Sequence, residues 1–190
     1  MNEDKLNIPD LWQKMADIGM NGWIADDEGQ VIRQEIEKLE PGQVYLEIGV
    51  AFGKSLSTAC YYAKEGVEIY GIDRLNWSQR DENMAKLGVS GRAKFIEGDS
   101  QQEAISWSKN KLIDLLFIDG DHRYYGVVFD MLSWIPLVKP NGRIMVHDYD
   151  PGAGPGIMKA VHDFIADHPA YRDQSYVRSI YTFTKEYKWI

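Results

Sequence analysis

The sequence predicts an α/β domain built on a doubly wound, mostly parallel seven-stranded sheet with helices on both faces. Three observations carry this expectation. Short apolar runs alternate with helical stretches from Val44 to Asp148, the pattern of parallel strands joined by helical crossovers. The 190 residues suit one domain with a sizeable core. Five successive runs end in ionisable residues: Glu47, Asp73, Asp99, Asp119 and the pair His147-Asp148. In an open parallel sheet the ligand lies beyond the carboxyl ends of the strands, so these groups converge on one rim.

Taken in order, the first forty residues read as a helical cap on a single domain spanning 1–190. Leu11, Met15 and Ile18 recur at helical spacing after Pro9, and Gly19 and Gly22 break the run. Val31, Ile32, Ile36 and Leu39 mark a second helix from Asp26 to Leu39, ended by Pro41-Gly42. Strands are expected at 44–48, 67–73, 93–99, 113–119 and 143–148. Helices are expected at 54–65, 78–87, 101–109, 124–134 and 157–167. Val138 to Gly142 reads as a turn before the fifth strand. The alternation from Tyr176 to Thr184 reads as a strand pair or one long strand.

Composition narrows the function. Lys and Arg total 21 against 29 Asp and Glu, a net charge of −8. With no cationic run to neutralise phosphates, nucleic acid is not an expected partner. The single cysteine, Cys60, excludes a disulfide-stapled scaffold and reads as a buried structural residue. Met1 to Asp10 is polar and lacks a signal-peptide core, and no apolar run is long enough to span a bilayer. A cytoplasmic location without a membrane partner is therefore expected. The aromatic tail Tyr187 to Ile190 offers a surface for homo-oligomer formation.

Glu47-Ile48-Gly49-Val50-Ala51-Phe52-Gly53 joins a strand to a helix and has the form of a nucleotide cradle. Its glycines let backbone approach a ligand at an electropositive helix N-terminus. A phosphate loop needs four residues before Gly-Lys-Ser. Here three separate Gly49 from Gly53, so Gly53-Lys54-Ser55 is a decoy. The G-x-G-x-x-G fingerprint of NAD-linked oxidoreductases is also absent. Asp73 ends its strand twenty residues after Gly53, where a carboxylate can accept ribose hydroxyls. The turn resembles the first motif of class I S-adenosylmethionine-dependent methyltransferases, which have a Rossmann-like fold.

Two further stretches sharpen the resemblance: Phe117 to Tyr125, containing Asp119-Gly120-Asp121-His122, and Pro140 to Asp150, containing His147-Asp148. Together they resemble the branch of macrocin O-methyltransferase-like and cephalosporin-hydroxylase-associated proteins, over roughly Gly22 to Asp150. The resemblance implies S-adenosylmethionine as cofactor, contacted by Glu47, Gly49, Ala51, Gly53, Ser55, Asp73, Asp99, Ser100 and Asp119. It places adenine at Gly98-Asp99-Ser100, although Asp99 also reads as a helix N-cap. It implies O-methylation of a small hydroxylated acceptor.

Relatives in the catechol and caffeoyl-CoA group hold a divalent cation, which implies Asp119, His147 and Asp148 as ligands. Histidine in this set is a departure from their acidic pair and suits manganese, iron or zinc better than magnesium. Three readings stay open: a different metal, His147 as a base without metal, or Asp121 completing the site. Asp119, His122 and His147 are the candidate catalytic residues, and Trp77 is the candidate stacking ring. A nucleoside-binding protein without catalysis and an NAD-linked oxidoreductase are the alternatives.

Overall fold

The computed structural model describes residues 5–107 and 111–186. Its elements run α1 (Ile8–Asp17), α2 (Asp26–Glu37), β1 (Val44–Ile48), α3 (Lys54–Tyr62), β2 (Glu68–Asp73), α4 (Ser78–Leu87), β3 (Ala93–Glu97), α5 (Ser100–Ser106), β4 (Ile113–Ile118), α6 (Tyr124–Trp134), β5 (Val138–Val146), α7 (Pro155–Val161), β6 (Tyr171–Val177) and β7 (Ile180–Lys185). Among the described residues, seven strands form one sheet in the order β3-β2-β1-β4-β5-β7-β6. The pairings within β1 to β5 are parallel. β7 runs antiparallel to β5, and β6 pairs with it as a hairpin. The sheet is therefore mixed, and the alternating tail is a strand pair.

Period-two alternation sorts the strand residues between two cores. Tyr45, Leu115, Phe117 and Met145 face one side, with Leu11, Met15, Ile32, Ile36 and Leu56 from α1 to α3. Leu46, Ile48, Leu116 and Ile118 face the other, with Val127, Met131 and Trp134 of α6 and Val161 of α7. The N-terminal helices are thus part of one helical layer. Cys60 is buried in it, as expected.

Several boundaries differ from the sequence expectation. β5 begins at Val138, and the expected turn is a bulge inside it, where pairing jumps from Ile113–Val138 to Leu115–Arg143. Asn141 supplies the positive φ of 64° that the bulge requires. α3 stops at Tyr62, and α5 runs from Ser100 to Ser106. The expected end of that helix at Lys109 lies outside the described residues, as does the tail from Tyr187. α7 continues into a π-helical turn, His162–Ala166.

Topology positions the site. From β1 the chain moves outward through β2 and β3, then returns to place β4 on the other side of β1. This reversal opens a crevice beyond the carboxyl ends of β1 and β4. Hydrogen bonds carry the register into the tips: Gly49 N–H donates to Ile72, Gly98 to Asp73, Asp119 to Ile48 and His147 to Ile118.

Candidate functional site

The glycine turn forms one wall of the crevice. Gly49 has φ 84°, and a Cβ there would lie 2.1 Å from the Asp119 carbonyl oxygen, so only glycine fits. Gly53, with φ 86°, is the N-cap of α3 and supports the aliphatic stem of Arg80. Ala51 also takes a positive φ, 45°. Beyond the turn lies a cavity of about 880 Å³, lined by Gly49, Ala51, Ser55, Asp73, Ser100, Asp119, His122, His147 and Asp148.

Three of the predicted site residues, Glu47, Gly53 and Asp99, do not line it. Glu47 is fully buried; Ser55 and Tyr45 donate to its two carboxyl oxygens at 2.6 and 2.7 Å. Burial pushes its carboxyl up to about 8 against those two hydrogen bonds. It orients the turn and does not face the cavity. Asp99 caps α5 by accepting from Gln101 and Gln102 N–H, and pairs with Arg74 at 2.5 Å. Its side chain is a helix cap, while Gly98, Ser100 and Gln101 reach the cavity. Asp73 lines the cavity and also braces the turn. Val50 and Ala51 N–H donate to Oδ2 at 3.0 and 2.8 Å, and Leu75 N–H donates to Oδ1 at 3.0 Å.

The β4 and β5 tips behave differently. His147 is buried, with Nδ1 3.0 Å from Asp119 Oδ1, 3.6 Å from Asp148 Oδ1, and Nε2 3.5 Å from Glu28 Oε2. Burial alone would lower its pKa, but Asp119, Asp148 and Glu28 outweigh that and push it up to about 12. His147 is therefore an imidazolium enclosed by carboxylates. Nδ1 is engaged by Asp119, while Nε2 is buried and makes no hydrogen bond. Burial raises the Asp119 carboxyl above its ordinary range against the pull of His147, while His147 holds Asp148 below its own. Among the described residues, the group able to hold a cation is Asp119, His122 and Asp148, whose ligand atoms lie within 4.8 Å of one another. His122, half exposed, takes the place expected of His147, with Nε2 3.2 Å from Asp148 Oδ2. Asp148 itself sits at φ 56°, a conformation rare outside glycine and common at functional sites. Asp121 does not complete this group. Arg123 binds its carboxylate and holds it down to about 2.

Several contributors were not visible in the sequence. Glu28 is buried; it accepts from Ala25 N–H at 2.8 Å and from the Ser179 hydroxyl and N–H, joining α2 to the β6–β7 turn. Burial would raise its pKa, but His147, Ala25 and Ser179 bring it down to about 2. A second cavity of about 490 Å³ lies beside the first and shares Trp23, Asp148 and Ala153 with it, with Glu28 and Arg178 on its far wall. Trp77 packs against Phe52 at 4.8 Å and does not line either cavity; Phe52 and Trp23 are the rings at the first one. Lys54 lines the first cavity. Its ammonium donates to the Ile24 carbonyl at 2.9 Å and stacks over Trp12, pinning the N-terminal segment. No helix among the described residues is long and apolar enough to cross a membrane.

Comparison with known proteins agrees with this geometry. The family described as "Methyltransferase domain" matches residues 46–149, from β1 to just past His147-Asp148. An uncharacterized protein, R132, of Acanthamoeba polyphaga mimivirus is 35% identical over 141 residues, covering 70% of this chain and 63% of the viral one. The fold is shared with an O-methyltransferase from Bacillus cereus in complex with SAH: TM-score 0.71, 16% identity, 95% of this chain and 90% of that one. It is also shared with MycE, a methyltransferase of the mycinamycin biosynthetic pathway in complex with Mg, SAH and mycinamycin VI. There the TM-score is 0.68 and the identity 19%, over 97% of this chain and 56% of MycE.

Proposed function

Because this chain belongs to the methyltransferase-domain family, we propose that it is an S-adenosylmethionine-dependent O-methyltransferase acting on a small hydroxylated acceptor. The observation that carries this reading is the crevice at the strand-order reversal, where the glycine turn faces Asp119, His122 and Asp148. The residues fit the cofactor. Gly49 leaves room that any side chain would fill, and the first turn of α3 presents unpaired N–H groups. Asp73 keeps lone pairs toward the cavity for ribose hydroxyls. The bound cofactor supplies a methyl group on a sulfonium, and transfer requires in-line positioning and a deprotonated acceptor.

The second cavity opens beside Asp148 and receives the acceptor in this reading. Asp119, His122 and Asp148 hold its reacting hydroxyl. A divalent cation on these three groups would lower the hydroxyl's pKa and orient it. The mixed nitrogen and oxygen donor set suits manganese, iron or zinc, and the magnesium of MycE supports a divalent ion in such a fold. His147 stays protonated and holds Asp119 and Asp148 in place. The reading places no nucleic acid or membrane at the site.

Calorimetric titration with S-adenosylhomocysteine tests the cofactor, and a panel of hydroxylated acceptors with and without EDTA tests the reaction. Micromolar binding and EDTA-sensitive methylation are expected. Binding of NADH in place of S-adenosylhomocysteine would overturn the reading.

A further inference from the structure

α6 lies between α5 and α7 on the face of the sheet that carries Leu46, Ile48, Leu116 and Ile118. Trp134 Nε1 ties it to the Ser100 carbonyl of α5 at 3.1 Å, and the Tyr124 hydroxyl ties it to Asp163, just past α7, at 2.7 Å. Its inner face buries Val127, Val128, Met131 and Trp134. Its outer face is apolar as well. Tyr125, Phe129 and Leu132 recur at helical spacing and are 69%, 49% and 54% exposed, and the rings of Tyr125 and Phe129 stack at 6.2 Å. The only acid or cation in Tyr124–Trp134 is Asp130, which is buried and bonded to Ser100. A helix that is apolar all round is ordinarily covered on both sides.

The flanking segments add Ile105 from α5 and Phe164 from the turn after α7, 78% and 38% exposed. Together these five side chains leave on the order of 500 Å² of apolar surface in water. That is near the upper end for a monomer, and more than half of the roughly 800 Å² that each partner of a standard interface buries. The charges beside this face neutralise one another: Arg123 pairs with Asp121, and Lys159 with Asp163. The whole chain carries a net charge of −8, so two copies repel over most of their surface. On this face they meet without that cost, with an apolar centre and a polar rim.

We propose that the outer face of α6 is an isologous dimer interface that docks a second copy of this chain. α6 has 11 residues, and Phe129 is its midpoint. Two copies packed antiparallel about a two-fold axis there place Phe129 against the partner's Phe129. Tyr125 then meets the partner's Leu132, and Leu132 meets the partner's Tyr125. The face is thus complementary to itself, as a two-fold interface requires.

Sedimentation equilibrium of the full chain, with Phe129→Glu and Phe129→Lys variants, tests this. Wild type should sediment at twice the chain mass of 21.8 kDa. Each variant sets like charges against each other across the axis and should weaken dimerisation on the order of 100-fold. An equimolar mixture of the two pairs opposite charges at the same point and should recover the dimer, which a general loss of structure would not do. If either variant fails to fold by circular dichroism, Tyr125→Glu mixed with Leu132→Lys makes the same test, because those positions face one another. Monomeric wild type at about 100 µM overturns the proposal. Cosedimentation of that monomer with phosphatidylcholine vesicles would assign the face to a lipid surface instead. A dimer unchanged in the folded variants overturns it too, as does a mixture of the two charge variants that stays monomeric.

Discussion

The acids at the tips of β1, β2 and β3 and those at the tips of β4 and β5 look alike in sequence but are engaged differently. Glu47, Asp73 and Asp99 accept hydrogen bonds from the protein itself: from Ser55 and Tyr45, from the turn backbone, and from the first turn of α5. Asp119 and Asp148 converge on one another, on His122 and on the buried His147. The first set builds a cradle, and the second leaves oxygen atoms facing the cavity. Position at a strand tip therefore does not assign chemistry; the available partners do.

The comparison can be broken most strongly at Asp119. Asp119→Asn should lower kcat on the order of 10³-fold while leaving S-adenosylhomocysteine affinity within about 3-fold. Initial rates and calorimetry read the two effects separately. On the cradle side, Gly49→Ala forces a Cβ onto the Asp119 carbonyl at a positive φ. It should destabilise the fold by about 3 kcal/mol in urea unfolding. Glu28→Gln removes one wall of the His147 cage. The expected loss is about 2 kcal/mol of stability, because a buried charge loses a partner, together with a fall in kcat as Asp119 and Asp148 lose their fixed orientation.

A smaller effect is expected at Glu47, and it depends on pH. Its carboxyl titrates near 8 in the folded chain against an ordinary 4.5. Between those values the folded state binds more protons than the unfolded state, so this group's contribution to stability falls as pH rises. Glu47→Gln should remove that slope, gaining on the order of 2 kcal/mol relative to wild type between about pH 5 and 8. Paired urea melts across this range measure it; parallel pH profiles would count against a buried neutral Glu47. The smallest effect is at Asp99. Asp99→Ala should cost about 1 kcal/mol through the lost cap of α5 and leave cofactor affinity within about 3-fold.

Much of this was legible in sequence because strands and glycine turns are local signals. The alternation from Val44 to Val146, the glycine turn and the tip acids follow from residue order alone. The pairing of Lys54 with the Ile24 carbonyl does not. The roles of the tip residues depend on partners brought by the fold. His147 is surrounded by Asp119, Asp148 and Glu28, and Glu28 comes from α2 and is positioned by the turn between β6 and β7. The bulge at Asn141 was readable as a turn, but whether the strand resumed beyond it depended on the ladder to β4.

The division between cradle and chemistry is tested most directly by titrating S-adenosylhomocysteine and then manganese into wild type and Asp119→Asn. Wild type should bind both. The variant should keep the nucleoside with near wild-type affinity and lose manganese. Loss of the nucleoside with manganese binding unchanged would contradict the account.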